Sequence, residues 1–384
     1  MQTLNKNLLQ QNIENSIKND IKYSNIAGAA VMVAQNGKIL MNEHFGFSDA
    51  PNQKPLKSGA MFRLASMTKP VTAIATLIGA EKGWFSLDDK VSDHFPEFEN
   101  IYVGKLENGK VVPSHKPKRP VVLSQLLSHN SGFMASSELY LPQEFEMPKE
   151  MFETNKTAAQ YCLENTCLCF EPYYQTGYSG YFAFDLIALL IERHSGMKYA
   201  DFLNEYIFKP LEIKDITYTP TPEQWERVVS MSDRGAGGIL FNVDMTGHTF
   251  EGFPLTYTCA GAGLVGSIED YFKFAEMLRQ NGTYNGKQIV SPELFPALYK
   301  KYVPQEYMPK GAKHSWGLGV RVTVGDDCLP DGCYGWSGAY GTHFFIDPKN
   351  QITAIYMKNN RWHDSHGGGM TAVQFEKDIM NSFE

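Results

Sequence analysis

The period of the apolar positions changes twice along the chain. Ala29 to Ala34 and Lys38 to Met41 are largely apolar runs on either side of Gln35-Asn36-Gly37. An Asn-Gly step supplies the positive φ angles of a tight hairpin, so the spacing predicts strand, turn, strand at the start of the chain. Thr342 to Ile346 and Ile352 to Met357, apolar and partly β-branched, flank Asp347-Pro348-Lys349-Asn350. That is the same signature, and the chain is expected to end on a second hairpin.

Between these ends the period is helical. Val71, Ile74, Ala75 and Ile78 fall at i, i+3, i+4 and i+7 ahead of Gly83, and Phe184, Ile187, Ala188 and Ile191 repeat the pattern ahead of Ser195-Gly196. Ser267 with Asp270 three residues on reads as an N-cap before Tyr271, Ala275 and Leu278, with Gly282 as the stop. Strands at both termini and helices between them predict an α/β (α+β) fold. One antiparallel sheet is built from both chain ends and flanked by helices, with a mainly helical domain inserted. The expected division is residues 1–80 and 255–384 for the sheet domain and 81–254 for the insertion.

Composition narrows the class. The 384 residues are 43% hydrophobic and 20% charged, which supports a large buried core and excludes a disordered or fibrous chain. Thirty-five Lys and Arg against 42 Asp and Glu leave a net charge of −7, the wrong sign for nucleic-acid binding. The one basic run, His115 to Pro120, is broken by prolines and reads as a solvated loop. The first twenty residues lack an apolar segment, and the longest near-apolar stretch, Tyr181 to Ile191, is interrupted by Asp185. No membrane span or signal peptide is expected, and the chain reads as cytoplasmic.

Six cysteines are too few for a disulfide scaffold, although Cys328 and Cys333 are close enough to pair in an oxidising compartment. Cys162, Cys167 and Cys169 lack the paired knuckles of a zinc site and read as buried thiols. His363 and His366 beside Gly367, Gly368 and Gly369 read as a solvated loop rather than a metal site. Neither metal nor cofactor is called for.

The sharpest local signal is Ser66-Met67-Thr68-Lys69 at the start of the first helix. Position i+3 lies one turn along the same face, so the Lys69 ammonium reaches the Ser66 hydroxyl, and the free N–H groups of the first turn favour developing negative charge. A second copy, Ser195-Gly196-Met197-Lys198, follows a helix and reads as a terminator. Other elements decide between the two. Phe62 to Val91, Leu126 to Gly132, Tyr178-Ser179-Gly180 and Trp336-Ser337-Gly338 occur in order. Together they resemble the motifs of the class C β-lactamase and penicillin-binding-protein superfamily of serine hydrolases over roughly Ile26 to Asn359.

The resemblance implies Ser66 as the acylated nucleophile, Lys69 and Tyr178 as its proton-transfer partners, and the Ser66 and Ala339 N–H groups as the oxyanion hole. Trp336, Ser337, Gly338 and Gly180 would contact substrate. Free tyrosine and lysine both titrate far above neutrality, so the pair must act together, and the sequence leaves open which is the base. Two departures point away from β-lactams and peptides. Trp336 stands where the superfamily carries a lysine, and Gly180 where it carries an asparagine. A tryptophan there resembles the family VIII carboxylesterases, which implies short to medium acyl esters as substrates. The alternatives are lactamase, D-amino-acid peptidase, amidase or acyltransferase chemistry, or a domain that is acylated without turning over. Gly335-Trp336-Ser337-Gly338-Ala339 also approximates a nucleophile elbow with Ser337 as nucleophile, but the strand-like run after it lacks the required helix. Phe133, Tyr140, Trp316, Trp336 and Tyr340 are candidates for an acyl pocket.

Overall fold

Near-continuous burial of Gly28–Gln35 shows why its apolar run lacks alternation: this strand is covered on both faces. The computed structural model describes residues 2–108, 110–133, 153–325, 328–361 and 368–384. A helix α1 (Lys6–Lys22) leads into β1 (Gly28–Gln35), β2 (Lys38–Asp49) and β3 (Lys54–Pro55), followed by α2 (Lys69–Glu81) and α3 (Phe182–Ser195). Then come α4 (Ile268–Arg279), β4 (His314–Trp316), β5 (Arg321–Thr323), β6 (Tyr334–Ser337), β7 (His343–Asp347), β8 (Ile352–Met357) and α5 (Gly368–Met380). The eight strands form one antiparallel sheet in the order β4-β5-β6-β7-β8-β1-β2-β3. The two ends of the chain meet where β1 pairs β8, with Val31 opposite Tyr356.

Both expected hairpins form, and Asn36 takes the left-handed φ of +52° in the first turn. The chain neither begins nor ends on them, however. Helices α1 and α5 lie outside the hairpins and cover one face of the sheet, where Leu9, Ile13, Ile17, Phe375 and Ile379 pack on Val31, Val33, Phe345 and Tyr356. Their apolar stripes are narrow and set in otherwise polar sequence, so periodicity alone did not reveal them.

The opposite face carries the larger core, including α2, α3 and α4. Residues 81–254 contain α3 and shorter helices, but also the hairpin Val103–Glu107 with Lys110–His115 and a second, Met231–Arg234 with Leu240–Val243. Ser267 caps α4 as expected, accepting from the Asp270 N–H. The stretch Tyr181 to Ile191 lies almost wholly within α3, and no helix among the described residues is long and apolar enough to cross a membrane. Each of the six cysteines is a thiol, so the possible pairing of Cys328 with Cys333 is not made. Cys162 is buried, but Cys167 and Cys169 are only partly so, which corrects the reading of all three as buried. His363 and His366 fall outside the described residues, as does Tyr140.

Candidate active site

Ser66 sits in a 3-10 turn, Ala65–Thr68, that feeds directly into α2. Ala65 holds φ at +46°, a conformation that costs a residue with a Cβ about 1–2 kcal/mol and persists only where the surroundings impose it. Those surroundings are specific. Leu264 accepts from the Leu64 N–H at 2.9 Å and donates to Thr68 Oγ1 at 3.2 Å, clamping both ends of the turn. Tyr271 Oη donates to the Met67 carbonyl and Thr342 Oγ1 to the Leu64 carbonyl.

Lys69 is completely buried one turn from Ser66, and its Nζ meets three acceptors. They are Ser66 Oγ at 3.2 Å and the carbonyls of Gly180 and Gly261, each at 2.8 Å. An ammonium has three N–H donors, so the site matches the charged form in full. Gly261 owes its identity to this approach, because a Cβ there would lie 2.1 Å from the Gly180 oxygen. Asp185 fixes the same segment from behind, accepting from Ala260 N at 3.1 Å and Tyr257 Oη at 2.5 Å. Burial pushes the Asp185 carboxyl up to about 7, against the pull of those donors and of the Lys69 charge.

Tyr178 approaches Ser66 from the other side, Oη to Oγ at 2.8 Å, and accepts from the indole Nε1 of Trp336 at 3.1 Å. Its loop is hooked onto His129. The His129 carbonyl accepts from Gly177 N, and its Nδ1 accepts from Ser179 N at 3.1 Å, so both neighbours of Tyr178 are held by one residue. Burial, reinforced by the Lys69 charge, holds His129 well below the usual histidine range and keeps it neutral. Its ring packs on Tyr178 and, edge to face, on Trp316, which in turn packs on Trp336.

The strand end that carries Trp336 reaches the serine turn through Gly338, where a Cβ would lie 2.2 Å from the Leu64 oxygen. Ala339, the expected oxyanion donor, follows it at the partly exposed end of β6. Ser337 faces away from Tyr178 by strand alternation and meets His343, its register partner on β7, at 2.8 Å. Gly180 is buried and contributes its carbonyl to Lys69. Of the candidate pocket aromatics, Trp316 and Trp336 flank Tyr178. Phe133 instead packs on Phe98, and Tyr340 packs on Phe250 with its Oη accepting from Glu251 N. No helix follows Ser337, since β7 begins at His343. His129, Asp185 and Gly261 were not singled out in the sequence. Only His129 had a signal there, inside the quoted Ser128-His129-Asn130 run.

Ser66 in a strained turn at a helix start, Lys69 buried one turn on and Tyr178 thus stand together in a chain of β-lactamase fold. Comparison with known proteins agrees: the beta-lactamase family model matches residues 13–369, and the chain belongs to that family. Esterase EstB of Burkholderia gladioli is 25% identical over 374 residues, covering 89% of this chain and 88% of that protein. Penicillin-binding protein 4* of Bacillus subtilis is 27% identical over 322 residues, covering 80% of this chain and 58% of that one. Among solved structures, EstCE1, described as a hydrolase with promiscuous acyltransferase activity, superposes with a TM-score of 0.79. It is 21% identical, covering 98% of this chain and 99% of that chain.

Proposed function

We propose that this protein is a carboxylesterase that works through an acyl-enzyme on Ser66. One observation carries the reading: Ser66 Oγ lies between Lys69 Nζ and Tyr178 Oη, while Trp336 on β6 supplies Tyr178 with a neutral indole donor in place of a cation. Lys69, with every N–H already placed on an acceptor, acts as the fixed charge. Tyr178 is the base. Its phenolate accepts from Trp336 Nε1–H and from the Ser66 hydroxyl, and the adjacent ammonium stabilises it.

In acylation the Ser66 proton passes to Tyr178 as Oγ bonds to the ester carbonyl carbon. The resulting oxyanion is received by the Ser66 and Ala339 N–H groups. Tyr178 then protonates the alcohol oxygen as the C–O bond breaks. Water repeats the sequence on the acyl-enzyme, giving the acid and restoring Ser66. An ester needs little beyond these groups, whereas β-lactam and peptide cleavage draws on carboxylate and amide anchors. The similarity to esterase EstB supports the same assignment.

The test is a chromogenic ester series beside a chromogenic cephalosporin. Short to medium acyl esters should exceed the cephalosporin in kcat/KM by at least about a hundredfold, which is what two missing polar anchors supply. Equal rates on both would overturn the esterase assignment. A stoichiometric burst without steady turnover would identify an acylated binding domain.

A further inference from the structure

Arg63 ends the short strand Met61–Arg63, just ahead of the serine turn, and is 4% exposed. Asn359 fixes its backbone, accepting from the Arg63 N–H at 3.0 Å and donating to the Arg63 carbonyl at 3.2 Å. The guanidinium makes three hydrogen bonds, all to main-chain carbonyls. Nε donates to His248 at 2.9 Å, one terminal nitrogen to Val229 at 3.1 Å and the other to Met245 at 2.9 Å. A guanidinium carries five N–H groups. One on each terminal nitrogen is therefore left without an acceptor among the described residues.

The charge is unmatched as well. Arg227, Arg279 and Arg321 each hold a carboxylate, whereas among the described residues none forms an ion pair with Arg63. Tyr340 bears on the same charge, but burial pushes its phenol up and keeps it neutral. Burial also draws the Arg63 guanidinium down to about 10, which leaves it a cation at neutral pH. Carbonyl dipoles solvate such a cation without neutralising it, and a buried charge is ordinarily paired.

Arg63 lines a cavity of about 640 Å³. Pockets of about 300–1,000 Å³ suit small ligands. Trp225, Val228, Val243 and Met245, all half-buried, give this cavity an apolar wall, and the Trp225 ring centre lies 5.8 Å from the guanidinium carbon. The one acidic residue in the lining is Asp244, which is exposed and accepts from the Thr246 N–H at 2.9 Å. A cation placed here would oppose Arg63. A compact dianion such as phosphate would exchange its hydration for apolar side chains and meet the Asp244 carboxylate. A monoanion on an apolar body matches both the free N–H groups and the wall.

We infer that this cavity is a binding site for a small carboxylate with an apolar body, its anionic end on the two remaining N–H groups of Arg63 and its body along Trp225, Val228, Val243 and Met245. The inference goes beyond the esterase reading and does not depend on it. A medium-chain fatty acid has the required chemistry.

The experiment titrates octanoate, and octanamide as its neutral match, into the full chain by calorimetry. Each titration is run before and after treatment with a fluorophosphonate, so that binding at Ser66 is counted separately. The treated protein should still take up one octanoate, with a Kd at least about tenfold below that for octanamide, as one charge-assisted hydrogen bond supplies. Asp244→Asn, which keeps an acceptor for the Thr246 N–H, should tighten octanoate about threefold, and Thr246→Glu should weaken it by about as much. Octanamide should not respond to either change. Both positions are exposed, so the test does not rest on replacing Arg63, whose side chain also holds three carbonyls of the fold. Equal affinity for acid and amide, loss of octanoate binding on treatment, or an octanoate affinity indifferent to both variants overturns the site. If the fluorophosphonate leaves Ser66 unmodified, the acylation reading fails instead, and the two variants decide the site on untreated protein.

Discussion

Trp336 donates its indole N–H to Tyr178 Oη at 3.1 Å, so β6 supports the tyrosine without adding charge to it. In the related enzymes that the motifs resemble, this position is a lysine. Trp336→Phe keeps the ring but removes the donor. It should lower kcat/KM for esters about tenfold, because Tyr178 Oη loses one of its hydrogen-bond partners. Trp336→Lys should improve turnover of a carboxylate-bearing cephalosporin relative to an ester. Steady-state kinetics on both substrates decides the point, and an unchanged ratio in Trp336→Lys would contradict it.

Lys69 and Tyr178 converge on one oxygen and serve one proton transfer. Lys69→Ala and Tyr178→Phe should each lower kcat by on the order of a hundredfold or more, and the double variant should lose far less than the product of the two. Multiplicative losses, measured by single-turnover kinetics, would show that the two residues act independently.

Asp185 gives the fold a pH dependence of definite sign. Its carboxyl titrates near 7 in the folded protein and near 3.8 as a free group, so between those values the folded state binds the extra proton. Stability therefore falls as pH rises from about 4 to about 7, and is unaffected by this group outside that window. Asp185→Asn removes the effect while keeping an acceptor for the Ala260 N–H. Wild type should lose stability relative to the variant by on the order of a few kcal/mol across the window, read from denaturant midpoints. A constant difference would contradict it.

Much of this arrangement was legible because it is local. Asn36-Gly37 and the Asp347 to Asn350 turn announce their hairpins in the residues themselves, and Ser66 and Lys69 are three positions apart on one turn. The missing parts depend on distant packing. Helix α1 is stabilised by Leu9, Ile13 and Ile17 against the sheet rather than by any strong pattern of its own. The hook of His129 onto the Tyr178 loop needs a left-handed φ of +57° at His129, a backbone state that no neighbouring residue in the sequence dictates. Asp185 looked like an interruption in an apolar run, whereas its partners Tyr257 and Ala260 lie some seventy residues away. Ser337 and His343 become a pair only once the register of β6 and β7 is known.

The account stands on Ser66 as the residue that carries the acyl group, and covalent labelling tests this most directly. The protein is treated with a fluorophosphonate, measured as intact mass and then mapped by peptide. One adduct per chain, on the peptide containing Ser66 and absent from Ser66→Ala together with ester turnover, is the predicted result. An adduct on Ser337, or ester hydrolysis undiminished in Ser66→Ala, would contradict it.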